Sequence, residues 1–340
     1  MSTTGHPVRV AVIGAGAFGR NHLRVLHELP QAVLAAAVEP DGERAAAAAR
    51  QYGIPVFSTI DAALAADLAL AAAVVAVPTV HHCAIACQLL SAGIDCLVEK
   101  PLTPSLAEAD ELIALAERHA RILQPGHLER FNPAVLAMQQ DLRGPMFFEA
   151  HRLSVFTPRS LDVDVVLDLM IHDLDVVLRF AASPACEVRA VGLPILSGKV
   201  DIANVRVEFD SGCVANFTAS RVSTERVRKL RYFEPGRYVS IDYARRDALL
   251  IAVDQNFQLE AAMRAGAAED FVNGLPGLHF DKPSIPAGEP LRLELESFLH
   301  SVQTRTAPAV SASEGRQALA LALAIQSEIA GHARRTGLAV

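Results

Sequence analysis

No run in this 340-residue chain is long and apolar enough to cross a bilayer. The most apolar stretch, Leu68 to Val80, falls short of the roughly 20 residues a span requires. A basic excess is missing too: 31 Lys and Arg face 38 Asp and Glu, a net charge of −7, which argues against a nucleic-acid partner. The cysteines at 83, 87, 96, 186 and 213 are odd in number and lack CxxC or His-paired spacing. They favour buried free thiols, with no metal centre. The opening M-S-T-T-G-H-P has no basic region followed by an apolar core, so no secretory signal is expected and the chain reads as cytoplasmic. What is abundant is apolar: hydrophobic residues make up 51% and mean hydropathy is +0.26, which excludes a disordered chain. Much of this is alanine, as in Ala45 to Ala49. The length suggests about two domains.

The first third alternates strands and helices. Val8 to Ile13 is a short β-branched apolar run, as a buried parallel strand should be, and it runs through Gly14-Ala15-Gly16-Ala17-Phe18-Gly19 into a helix ending near Leu29-Pro30. Further strands are expected at Ala32 to Val38, around Pro55 to Phe57, at Ala71 to Val77, at Ile94 to Val98 and near Arg121 to Leu123. Helices are expected over about 41–52, 80–92 and 106–120, the last capped by Ser105 with Glu108 as its capping-box partner. Repeated β-α units at this spacing predict a doubly wound parallel sheet over 1–125, the Rossmann arrangement, followed by a second domain over 126–340.

The glycine pattern lies between a buried strand and a helix, the context a dinucleotide needs. Gly14 permits the tight turn, Gly16 lets backbone reach a pyrophosphate, and Gly19 allows close helix–strand packing. Ala17 and Phe18 complete the loop, and the helix N-terminus offers N–H groups to the phosphate. Glu39 ends the second strand, where a carboxylate would hydrogen-bond the adenosine ribose. An acid there repels a 2′-phosphate and no Arg follows directly, which favours NAD over NADP.

Three further constellations carry chemistry. Glu99-Lys100-Pro101 stands at the C-terminal end of a parallel strand, where open α/β sheets bind ligands and a lysine can hold a substrate hydroxyl. Leu161 to Phe180 reads as one helix, apolar nearly all round, with Asp164, Asp168, His172 and Asp175 recurring at four, four and three residues to make one polar stripe. A carboxylate one turn before an imidazole can orient it for general-base work; a capping Asp with a structural His is the plainer alternative. In Gly126 to Pro133, Arg130, Phe131 and His127 are candidates for facing a substrate, while Asn132 before Pro133 fits a helix cap equally well. Arg159 is a further candidate cation for a charged substrate.

GxGxxG with Glu39, then Pro78-Thr79 and His82, then EKP at 99–101, then Asp168…His172…Asp175, resembles the Gfo/Idh/MocA (glucose-fructose oxidoreductase/inositol dehydrogenase) superfamily over essentially the whole chain. The resemblance implies an N-terminal Rossmann domain and a C-terminal α+β domain with a large, open, mostly antiparallel sheet. It also implies an NAD-dependent dehydrogenase acting on a sugar hydroxyl. Lys100 and His172 take the places of the family's catalytic pair, and Asp168 that of the acid before the histidine. Pro78, Thr79, His82, Glu99 and Lys100 fall at cofactor-lining positions. Where the family commonly has Gly two residues after that Asp, this chain has Met170. DLMIHD together with GHLERFNPA looks closer to the nucleotide-sugar branch, which implies a UDP-sugar substrate in a lipid A precursor pathway and a pathway aminotransferase as partner. Free sugars, inositols or sugar acids remain alternative substrates, and an NAD-binding sensor without catalysis is a second alternative.

The second domain says less by itself. Strands are expected at Glu187 to Val191, Asn204 to Phe209, Cys213 to Ala219 and Tyr238 to Tyr243. Arg221, Arg226, Arg228, Lys229, Arg231 and Arg237 form a basic cluster that suits either salt bridges or a substrate diphosphate, and Phe271 to Pro286 reads as a long loop. An open sheet face predicts a homodimer or homotetramer. The last helix is expected to return to the Rossmann domain.

Overall fold

The computed structural model describes residues 6–157, 163–261 and 275–338, in two compact units. Unit one is Met1–Phe131 with Gly288–Ala320; unit two is Asn132–Ala287 with Leu321–Val340. The chain thus passes between units at 131/132 rather than 125/126, and residues 288–320 come back to unit one.

Unit one holds strands β1 (Val8–Ile13), β2 (Ala32–Val38), β3 (Val56–Phe57), β4 (Ala72–Val75), β5 (Asp95–Glu99) and β6 (Leu123–Gly126) in one parallel sheet, ordered β3-β2-β1-β4-β5-β6. The order reverses between β1 and β4, which opens the crevice where α/β sheets bind ligands. Helices α1 (Gly19–Glu28), α2 (Gly42–Tyr52), α3 (Ile60–Ala65), α4 (His82–Ser91) and α5 (Leu106–Arg118) connect the strands. Local signals set their ends. Asp41 accepts Arg44 N–H at 2.9 Å, Ser105 accepts Glu108 N–H at 3.3 Å, and Gly53 closes α2 at φ 64°. Thr59 caps α3 in the same way at 3.2 Å, a short helix not anticipated from the sequence. Leu23 and Leu26 of α1 pack with Val10, Val12, Val74 and Leu97 of the sheet and with Leu295, Phe298 and Leu299 of a helix over Pro290–Thr304. Central strands buried on both faces explain their unbroken apolar runs.

In unit two, α6 (Pro133–Gln139) precedes β7 (Phe147–Leu153), and α7 (Ile171–Ala181) precedes strands β8 (Ala185–Leu193), β9 (Ile202–Phe209), β10 (Val214–Ser220), β11 (Val227–Glu234), β12 (Arg237–Asp242), β13 (Asp247–Val253) and β14 (Leu278–Asp281). The eight strands run β14-β13-β12-β11-β7-β10-β9-β8, antiparallel except for the β7–β10 pair. Side chains alternate across this sheet: Val205, Phe217, Phe148, Tyr232 and Val239 are buried on one face. Phe180 of α7 meets Tyr232 edge-on at 5.9 Å. The other face carries polar pairs such as Arg231–Glu149 at 2.9 Å and Asn204–Thr218 at 2.9 Å.

Two expectations are corrected. Leu161 to Phe180 is not one regular α-helix: from Val163 onward Asp164 caps a π-helical turn at Val166–Met170, and α7 follows. Of the cysteines, Cys83, Cys96 and Cys213 are buried as expected, but Cys186 is exposed. No helix among the described residues is long and apolar enough to cross a membrane.

Candidate active site

The glycine loop of unit one has the shape its sequence promises. Gly14 takes φ 96°, and a Cβ there would meet the Ala76 carbonyl at 2.7 Å. A Cβ on Gly19 would lie 1.8 Å from Gly14 O. Those two glycines are demanded by packing. Gly16 differs, because nothing lies within 4 Å of its missing Cβ. The open space sits before the N-terminus of α1, a cradle that fits a dinucleotide pyrophosphate. Phe18 in the same loop is exposed.

Glu39 at the end of β2 is buried, and its Oε2 accepts Ala15 N–H at 2.8 Å, which ties the acid to the loop. Its Oε1 accepts from Asp41 N at 3.0 Å and from Arg44 at 2.8 Å. Burial opposes its charge, but Arg44 and the two N–H groups outweigh that and hold the carboxyl below its ordinary value. No Arg follows Glu39 directly in the chain, but helix α2 returns Arg44 to it from five residues away.

Pro78 and Thr79 form the turn after β4. His82 behind them is buried, with Nε2 2.9 Å from Val77 O and Nδ1 3.0 Å from Pro101 O. Burial pushes its pKa down against those hydrogen bonds. The ring is a clamp between two chain segments, held by the Val77 and Pro101 carbonyls. Glu99 is likewise turned inward, accepting from His22 of α1 at 2.7 Å, and Lys100 beside it is half-buried. His22 was not anticipated; its only sequence signal is the position three residues after Gly19.

The segment after β6 behaves differently from its substrate-facing expectation. Arg130 is 5% exposed and donates to Glu314 at 2.6 Å, and Phe131 is 5% exposed in the core. His127 is buried as well. Asn132 caps α6, accepting Ala134 N–H at 3.2 Å and donating to Tyr243 O at 3.0 Å. Structural partners thus account for Arg130, Phe131 and Asn132. Arg159 lies outside the described residues.

In unit two, Asp168 and His172 remain half-buried, while Asp173 and Asp175 are buried. The π turn breaks the expected four-residue stacking of the stripe. Asp164 spends Oδ1 on the N–H groups of Val166 and Leu167, at 2.9 and 3.1 Å, and takes Gln326 on Oδ2 at 2.6 Å. Wider π turns are frequent at functional positions, and this one directly precedes His172. The basic cluster is mostly ion-paired: Arg221 with Asp201 at 3.8 Å, Lys229 with Asp242 at 3.9 Å, Arg237 with Glu234 at 2.6 Å. Among the described residues, no group of three or more His, Cys, Asp or Glu side chains is placed to hold a metal.

A parallel sheet carrying this loop and this acid has the form of a dinucleotide-binding unit. Residues 8–127 match the profile of the oxidoreductase family with an NAD-binding Rossmann fold, Gfo/Idh/MocA. The chain is 35% identical over 329 residues to UDP-N-acetylglucosamine 3-dehydrogenase of Acidithiobacillus ferrooxidans, covering 96% of this chain and 99% of that one. A solved structure of that enzyme aligns with a TM-score of 0.85 at 34% identity, covering 94% of this chain and 97% of the other. Inositol 2-dehydrogenase of Leifsonia xyli is 35% identical over 194 residues, 55% of this chain and 57% of that one. The chain belongs to the Gfo/Idh/MocA oxidoreductase family. It is an NAD(P)-dependent dehydrogenase acting on a sugar hydroxyl.

Proposed function

We propose that the chain oxidises the C3 hydroxyl of UDP-N-acetylglucosamine, or of a close nucleotide-sugar analogue, to a ketone, with NAD as acceptor. The observation that carries this is the extent of the similarity. Identity to the UDP-N-acetylglucosamine 3-dehydrogenase runs through the second unit, whereas the inositol dehydrogenase match spans 55% of the chain. Substrate choice is expected to reside beyond the Rossmann unit, so similarity there weighs most.

The Gly14–Gly19 loop and the Pro78–Thr79 turn would hold the dinucleotide, with Glu39 on its ribose. Bound NAD supplies the hydride acceptor at nicotinamide C4. His172 takes the hydroxyl proton, and Asp168 orients and tunes its imidazole. Lys100 hydrogen-bonds the same hydroxyl and makes it easier to deprotonate. The ketone so formed suits an aminotransferase as the next enzyme. Assembly as a homodimer or homotetramer through the polar face of the eight-stranded sheet completes the proposal. The test is NADH formation across UDP-sugars, free sugars, sugar acids and inositols: turnover confined to UDP-N-acetylhexosamines is expected, and turnover confined to inositols would overturn the substrate class.

A further inference from the structure

His22 stands in the first turn of α1, immediately behind the glycine loop, and its side chain is fully buried. Its Nε2 lies 2.7 Å from Glu99 Oε1, and Glu99 Oε2 accepts the Lys100 backbone N–H at 3.3 Å. The sheet makes room for this carboxylate. Gly126 pairs with Glu99 across β5 and β6, and a Cβ on it would come within 3.1 Å of Glu99 Cα and 3.2 Å of Oε2. The Glu99 side chain is 13% exposed; a carboxylate so largely covered is costly without partners, and an apolar residue would serve packing alone at lower cost. The charged and titratable groups around it are His22 from α1, Lys100 next in the chain, and His82 from α4 at the Pro101 carbonyl. Burial disfavours the Glu99 charge, yet His22 and Lys100 together hold the carboxyl below its ordinary value.

We propose that His22 and Glu99 are a positioning pair for Lys100. The His22 ring holds the Glu99 carboxylate in place, and the carboxylate keeps the lysine an ammonium ion that donates hydrogen bonds and does not serve as base. This rests on Lys100 acting on the substrate hydroxyl, as proposed above. It also links the helix that receives the pyrophosphate to the strand end that carries the lysine.

The chain contains four lysines, Lys100, Lys199, Lys229 and Lys282, so side-chain NMR of the full-length, lysine-labelled protein can follow each one. Glu99→Gln keeps the shape and removes the charge. It is expected to lower the Lys100 titration midpoint by about one pKa unit, a tenfold loss of proton affinity. The other three resonances should stay in place and report that the fold survives. The alkaline limb of turnover should move down with Lys100. His22→Ala removes the donor that holds the Glu99 carboxylate in place and should lower the Lys100 midpoint by less than Glu99→Gln does, with His22→Gln restoring part of the shift. A merely structural pair would lower the plateau and leave the alkaline limb in place. An unmoved Lys100 midpoint in Glu99→Gln overturns the proposal. Near-wild-type turnover of Lys100→Met would instead remove the role given to the lysine, and the NMR midpoint would still report on the pair.

Discussion

The Arg152 guanidinium and the Asp173 carboxylate form a two-bond ion pair inside unit two, Nε to Oδ2 at 2.7 Å and Nη2 to Oδ1 at 2.9 Å. Arg152 also lies over the Tyr243 ring at 5.1 Å. The pair ties α7, one residue past His172, to strand β7. Both side chains are 3% exposed, so removing one leaves the other as a buried charge. Asp173→Asn should therefore lower unfolding free energy by about 3 kcal/mol in urea titrations. Replacing both residues by apolar ones of similar volume should cost less than either single change.

The glycines of the loop should separate folding from binding. Gly19→Ala forces a Cβ to 1.8 Å from Gly14 O, so it should lower Tm sharply or prevent folding. Gly16→Ala meets nothing within 4 Å and should leave Tm unchanged. Its methyl would occupy the space assigned to the pyrophosphate, so NAD affinity should fall about tenfold or more by calorimetry, about 1.4 kcal/mol.

Asp201 gives unit two a defined acid sensitivity. Its Oδ2 accepts the N–H groups of Ile195, Leu196 and Ser197 at 2.8, 2.6 and 2.8 Å, and its Oδ1 the Ser197 hydroxyl at 2.6 Å. Burial opposes the charge, but these donors lower the carboxyl from 3.8 to about 2. A depressed folded-state pKa adds stability that is present above 3.8 and lost as pH falls toward about 2. Asp201→Asn should cost about 2 kcal/mol at neutral pH, and the difference from wild type should vanish near pH 2.

What was legible in the sequence was local. Ser105 and Asp41 cap helices through partners three residues away, and Gly14 and Gly19 serve a turn written in consecutive residues. What was not legible depends on distant partners. His22 meets Glu99 across 77 positions, and Arg130 meets Glu314 across 184. Strand β11 was hidden because Lys229 and Arg231 alternate with Leu230 and Tyr232, and without their partners they read as a basic cluster. The π turn at Val166–Met170 shifts the hydrogen-bond ladder without disturbing the apolar pattern, so Asp164, Asp168 and His172 read as one regular stripe.

The proton-handling roles make separable predictions. Lys100→Met and His172→Ala should each reduce kcat by a hundredfold or more, about 3 kcal/mol of barrier, with NAD affinity within a few-fold of wild type. Asp168→Asn should lower kcat less and move the acid limb of the pH profile, since the role proposed for it runs through His172.

The most direct measurement is the position of the new carbonyl. Purified protein, NAD and carbon-13-labelled UDP-N-acetylglucosamine are incubated together, and the product is read by NMR. A ketone signal at C3, formed in step with NADH and absent with His172→Ala, is the expected result. A carbonyl at another carbon, or NADH formed only with inositols or free sugars, would contradict the account.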